Sequence, residues 1–321
     1  MMGRFLICLI FGMMFTQSAW AQCFASAGNP VGGTANLGVM NKNTFRIGTF
    51  YRFSYSHRYL NGDKNYTGNA GIFKDANYNY LGLLVGYGIL DQLTVEAEGG
   101  YYINKTQVYK LNNMKLKGYG LSNAVISMKP RLYYNADKRV EISCGLGANI
   151  PFTRNFQAVD GVTLPVDIQA STGSFGMVFQ AFIIKEYSFQ GMRFFLTNRI
   201  EKYFENKQDY LFGTLYSTSF FFSKHFVFEK LKLKDWTFIV QLKNQIKEKN
   251  KHYKQTVDAS GSVLLFLVPQ INVSINDNWN ASVMADIPVY QYYNKIQLAN
   301  TCSVGLSIFR DFSFKKKQNT D

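Results

Sequence analysis

From Thr44 onward the chain alternates apolar with polar or small residues at a period of two, the period of β-strands. The clearest run lies near the end, from Ser260 to Phe312, where three segments repeat the pattern. Val263, Leu265, Leu267, Ile271, Val273 and Ile275 share a face against Gln270, Asn272 and Ser274. Next, Trp279, Ala281, Val283, Ala285, Ile287 and Val289 oppose Asn280, Ser282, Met284 and Asp286. In the third segment Val304, Leu306 and Ile308 oppose Ser303, Gly305 and Ser307, with Phe309 and Phe312 following.

The first alternating segment indicates which face is wet. Phe45, Ile47, Tyr51, Phe53 and Tyr55 lie on one side, Arg46, Gly48, Arg52 and Ser54 on the other. An arginine turned toward lipid at mid-bilayer costs about 2 to 4 kcal/mol, so in a membrane Arg46 and Arg52 must face a lumen. A slip of one residue would turn every side chain to the wrong side. Similar segments follow around 81–89, 95–103, 124–132, 140–150, 169–185, 192–203, 209–223 and 235–247, giving about twelve strands. Connections are long after the first and third strands and short after the second and fourth, the asymmetry of outer-membrane barrels. The stretch Lys224 to Asp235 departs from it, being longer than a short turn requires. The expected fold is all-β: a transmembrane antiparallel up-and-down β-barrel of about twelve strands, with short periplasmic turns and long outer loops.

The N-terminus supports export. Arg4 precedes the apolar run Phe5 to Phe15, and Ala19, Trp20 and Ala21 supply a small-x-small site, so residues 1–21 read as a cleaved signal peptide. Past residue 21 no run of about 18 apolar residues occurs, which removes an ordinary transmembrane helix from consideration. Residues 22–43 have no period and form an irregular leader, either a plug in a barrel mouth or a segment on the surface. The barrel is expected over 44–312, with a basic polar tail over 313–321. The expected location is a bacterial outer membrane.

Composition agrees with many strands around a crowded interior: 16% aromatic, 17% charged, 26 glycines and only 6 prolines among 321 residues. The net charge of +14 would suggest nucleic acid for a cytosolic chain. Here the signal peptide and the dispersal of Lys and Arg argue against that partner and for acidic lipid headgroups. Trp236 and Trp279 each open an outward-running strand, which puts both at one interface as aromatic anchors.

Three short motifs and the leader resemble a known family. They are Gly118-Tyr-Gly-Leu-Ser-Asn-Ala-Val-Ile-Ser127, Gln169-Ala-Ser-Thr-Gly-Ser174, Ile287-Pro-Val-Tyr-Gln291 with Gln297-Leu298, and Ser26-Ala-Gly-Asn-Pro-Val-Gly-Gly-Thr34. In them the chain resembles the outer-membrane channel-like proteins grouped with the meta-pathway of phenol degradation, in the form found among Bacteroidetes exported proteins. The resemblance implies a barrel of about twelve strands and passage of small, often hydrophobic, solutes. It implies no catalytic or ligand-binding residues. The charged tail after Phe312 departs from the pattern, since many barrel proteins end on the aromatic residue itself.

Candidate chemistry is sparse. The histidines His57, His225 and His252 lack the spacing of a barrel hydrolase, and Gly-x-Ser-x-Gly is absent, so no enzyme is expected. Cys23, Cys144 and Cys302 give no metal signature, and Asp63 and Asp75 do not fit a calcium loop. No cofactor and no metal are expected. The remaining constellation is the inward set Arg46, Arg52, Lys129, Arg131, Arg193, Arg199 and Lys243 against Glu96, Glu98, Glu141 and Glu201. Either paired ions fill a narrow lumen, or the basic excess lines a path that favours anions. The function expected is a passive channel for small hydrophobic or anionic solutes. The alternative is a closed surface barrel whose outer loops bind a partner.

Overall fold

The computed structural model describes residues 38–69, 71–159 and 161–314. Within them helix is limited to two 3-10 turns, Val166–Ile168 and Ser188–Gln190. Ten strands follow one another: β1 (Thr44–Gly62), β2 (Phe73–Leu90), β3 (Leu93–Tyr109), β4 (Ala124–Asn135), β5 (Val140–Ile150), β6 (Gly176–Tyr187), β7 (Met192–Tyr203), β8 (Leu215–Val227), β9 (Asp235–Lys247) and β10 (Ser262–Ser274). Each pairs antiparallel with the next, and the stretch Trp279–Ser313 closes the ring between β10 and β1. Lys64–Asn65 and Lys115–Leu121 pair with β1 and β3 outside the ring.

The closing stretch is one continuous strand element of 35 residues, which makes the ring count eleven. Eleven straight strands cannot alternate in direction and still meet antiparallel at the seam. The stretch therefore reverses. Its residues up to Tyr293 pair with β10 and those from Tyr293 on pair with β1, while Lys295 takes the left-handed φ of +61° that a tight turn needs. The two arms are β11 (279–293) and β12 (296–313). They meet side by side where Asp311 N–H donates to Asn278 O at 3.0 Å and the Ser282 and Ser307 hydroxyls lie 2.6 Å apart. Twelve crossings result, as the periodicity predicts.

The outer wall is a band of exposed apolar side chains at every second position. It includes Leu81 and Leu83 on β2, Ile126 and Met128 on β4, Val240 and Leu242 on β9, and Val304, Leu306 and Ile308 on β12. Such a band is too large for water and is the lipid face of a transmembrane barrel. No helix of the described residues is long and apolar enough to cross a membrane, so strands alone do so. Connections at 91–92, 136–139, 188–191, 228–234 and 275–278 are short and lie at one end, with Trp236 and Trp279 beside two of them. Those at 63–72, 110–123, 151–175, 204–214 and 248–261 are longer and lie at the other.

Three sequence expectations change. The long turn from Lys224 shrinks, because β8 pairs with β9 as far as Val227 with Asp235 and leaves only 228–234 as loop. Phe226 packs edge-on to Phe238, and Phe228 to Trp236, so aromatic contacts extend the hairpin past the alternating run. Residues 169–175 are not strand but the end of a loop, and β6 begins at Gly176. The stretch from 209 holds only the short pairing Tyr210–Leu211, and β8 begins at Leu215. Of the leader, residues 22–37 lie outside the described residues, as do the expected signal peptide and tail residues 315–321; Ser313 completes β12.

Candidate functional site: the barrel lumen

Inward positions along the strands carry the charges, and contacts across the bore prove their direction. Arg199 on β7 bonds Glu98 on β3, strands separated by three others in the ring, and donates to Glu201 at 2.7 Å. Asp286 on β11 accepts from Arg52 on β1 and from Lys243 on β9, the latter at 2.7 Å. Neither pair could form through the wall. Lys129 meets Glu96 at 2.8 Å, Arg131 meets Glu141 at 3.2 Å, and Arg193 meets Glu186 at 3.1 Å near the short-turn mouth. Arg46 meets Asp311 at 2.7 Å.

Every basic residue of the sequence-derived set is thus paired. The seven bases, Arg46, Arg52, Lys129, Arg131, Arg193, Arg199 and Lys243, face seven acids, Glu96, Glu98, Glu141, Glu186, Glu201, Asp286 and Asp311. Sequence reasoning counted four of those acids. It placed Asp286 on the polar face without counting it, and Asp311 and Glu186 lie at strand ends where alternation fades. The basic excess is therefore cancelled. Burial explains the pairing, since an unpartnered charge in this interior would cost several kcal/mol.

Above and below the ions apolar side chains project inward. Phe195, Phe221 and Ile239, with Ile184 against them, form an apolar cluster on the adjacent strands β6 to β9, a septum on that side of the bore toward the short-turn end. Between it and the mouth lies a chamber of 330 Å³ lined by Arg193, Ser223, His225, Thr237 and Asn272 among others. Toward the long-loop end Phe50, Tyr80 and Tyr102, on the adjacent strands β1, β2 and β3, pack against one another as a tilted aromatic layer with rings 4.7 to 5.8 Å apart. Leu84, further along β2 on the same side as Tyr80, is half-buried.

The loop 151–175 descends onto this aromatic layer, where Ala170 packs against it. Gln169 organises the loop by accepting from Gln157 N–H at 2.7 Å and donating to the carbonyls of Gln157 and Leu164. Lys105 Nζ donates to Gln169 O at 2.8 Å. Asn123 donates to Asn149 and Thr172, each at 2.7 Å, and accepts from Ser171 Oγ and Thr172 N–H. A β-carbon on Gly118 would stand 1.8 Å from Ile168 O, so only glycine lets the loop lie this close. Two of the motifs singled out in the sequence are therefore the two sides of one contact. Burial pushes the Asp167 carboxyl of this loop up to about 6, opposed by Lys247 and Lys105.

The other residues singled out stay apart from the lumen network. His57 stacks on Tyr55, and His252 packs on Tyr210 and Tyr253. His225 sits between Thr237 at 3.3 Å and Asp235 at 3.4 Å on the exposed rim. Cys144 and Cys302 are free thiols on different strands. Among the described residues no group of three His, Cys, Asp or Glu side chains could hold a metal ion.

A crystal structure of an outer membrane channel from Pseudomonas putida F1 superposes with a TM-score of 0.63 at 10% identity, covering 87% of this chain and 99% of that one. The fold is that of an outer-membrane β-barrel. At this identity the likeness concerns the path of the chain and transfers no residue role. The beta domain of the Bordetella autotransporter BrkA matches with a TM-score of 0.45 at 12% identity over 83% of this chain and 99% of that one. The KdgM porin matches with a TM-score of 0.41 at 9% identity over the same shares. No protein-family model and no curated protein matches the sequence.

Proposed function

We propose that this protein is a passive outer-membrane channel for small solutes, exported with residues 1–21 removed, and related to the channel-like proteins grouped with the meta-pathway of phenol degradation. The observation that carries the reading is how the bore is closed. Much of the obstruction is a loop inserted from one end, 151–175, folded on itself by Gln169 and held by side-chain hydrogen bonds from Lys105 and Asn123. A barrel needed only as a shell could fill its interior from its own strands. An inserted segment held by individually modest bonds, each worth roughly 0.5 to 1.5 kcal/mol, is one that can leave. In this reading Trp236 and Trp279 anchor the short-turn rim among lipid headgroups, and the paired lumen leaves uncharged solutes as the favoured cargo. Planar-bilayer recording and solute uptake into liposomes with the purified protein test it. Absence of both conductance and uptake removes the channel.

A closed barrel whose outer loops bind a partner is the second reading, favoured by the septum of Phe195, Phe221 and Ile239. Deleting Tyr59 to Asn77 separates the two, since partner binding lost with unchanged permeability supports the surface barrel. An enzyme would need one of three histidines as its base. Replacing His57, His225 and His252 together without effect on any detected hydrolysis dismisses that class.

A further inference from the structure

Residues 38–42 run into the lumen at the short-turn mouth, and Val39 and Met40 are buried there. Their backbone is held by barrel side chains. Val39 N–H donates to Glu141 Oε1 at 2.8 Å, and Val39 O accepts from Arg131 at 3.2 Å. One ion pair, Arg131 with Glu141, therefore grips both polar groups of a single peptide residue. Met40 N–H donates to the buried Thr94 hydroxyl at 2.8 Å, and Lys42 N–H to Asp91 at 2.9 Å on the rim. The groove is shaped for this chain: a β-carbon on Gly88 would stand 2.1 Å from Asn41 O and 3.0 Å from Met40 O. At the inner end, a β-carbon on Gly38 would lie 3.3 Å from Ile184 Cδ1, and Ile184 packs on the septum.

We propose that residues 38–42 are a releasable strap that gates the short-turn mouth, with Arg131 and Glu141 as its latch and Ile184 as its link to the septum. Strap and septum narrow the short-turn end together, as the loop 151–175 obstructs the other end. Releasing the strap uncovers the polar groups of β2 to β5 at the mouth and withdraws the support beside Ile184, which frees the septum side chains to move apart. Arg131 and Glu141 then have a second task beyond neutralising each other. They recognise a main chain and not a solute. This rests on the channel reading above.

Gly88→Val tests the proposal, because the three atoms nearest to an added β-carbon all belong to the strap backbone. Folded protein, judged by its compact gel mobility before boiling, is reconstituted in liposomes and swelling is followed with glucose as the probe. Gly88→Val, the double variant Thr94→Ala/Glu141→Ala, and a variant lacking residues 38–42 are expected to swell several-fold faster than the parent. Adding Gly88→Val to the strapless variant should change nothing further, since the wedge has lost its target. Equal swelling of parent, Gly88→Val and strapless protein overturns the gate and leaves the channel reading standing. No swelling in any of them removes the channel reading and the gate with it.

Discussion

Arg46 and Asp311, 265 positions apart in the chain, stand directly opposite each other where the last strand meets the first. The guanidinium is bidentate: Nε donates to Oδ1 and Nη2 to Oδ2, both at 2.7 Å. Closure of a barrel has no turn to enforce its register, so this seam must be specified by side chains. A fork-shaped donor on a carboxylate fixes both distance and angle.

Asp311→Ala should therefore weaken the seam. With the Asp311 side chain 30% exposed and Arg46 only 10%, the loss falls between that of a surface pair and a buried one, about 2 kcal/mol. Urea unfolding of the reconstituted barrel should show the midpoint fall, with Asp311→Glu restoring part of it. An unchanged midpoint would mean that backbone pairing along β1 and β12 is sufficient.

Asp286 carries a larger effect because it serves two cations, Arg52 and Lys243, and is 4% exposed. Asp286→Ala takes away the carboxylate that both cations share and is expected to cost roughly 3 to 5 kcal/mol, enough to prevent assembly in many barrels. Replacing all three by Arg52→Met, Asp286→Leu and Lys243→Met removes the charges together and should recover most of the loss. The comparison is a folded fraction on unboiled gels for the single and triple variants. If the triple variant is as damaged as the single, the cause is packing and not electrostatics.

What the sequence could and could not reveal follows from the range of the forces involved. The lipid-facing and inward sets are local, because a period of two reports which side of one strand is apolar, and Arg46, Arg52, Lys129 and Arg199 were legible that way. Partners were not. Asp286 reaches Arg52 across 234 positions, and no periodicity carries that information. The leader 22–43 stayed open between a plug and a surface segment for another reason: residues 38–42 bond through their backbone, which any sequence possesses, and the telling residue is Gly88 in the wall beside them. The loop 169–175 was read as strand because it runs directly into the alternation of β6, although its buried Gln169 and Ser171 bond Asn123 and other loop atoms.

Asp167 gives the inserted loop a pH dependence with a definite sign. Its carboxyl, on the loop outside the strands, is pushed by burial from 3.8 to about 6, against the pull of Lys247 and Lys105. A raised acid pKa means that the docked loop binds the proton more tightly than the free loop does. Docking is thus most favoured below pH 3.8 and loses this contribution as pH rises through about 6. Hydrogen exchange over 157–174, corrected for intrinsic rates, should show greater protection at pH 4.5 than at pH 7. Asp167→Asn should flatten the dependence, and protection that instead rises with pH would contradict the assigned burial.

Charge selection follows from the balance in the bore. A lumen lined by free arginines would draw anions and repel cations, since fixed charge in a low-dielectric constriction sets the sign of the permeating ion. Here seven bases meet seven acids, and each base has an acid within 4.0 Å. Fields of such pairs fall off as dipoles, leaving little preference at the bore axis. The strapless protein under a potassium chloride gradient should accordingly show a reversal potential near zero. Removing one acid should tip the balance: Glu96→Gln takes the carboxylate from Lys129, and Glu98→Gln takes one of the two from Arg199, so both should move the reversal potential toward chloride. The opposite change, Lys129→Met, should move it toward potassium. A parent already strongly selective for chloride would mean that the pairs open when current flows, returning the positive charges of Arg52 and Arg199 to the path.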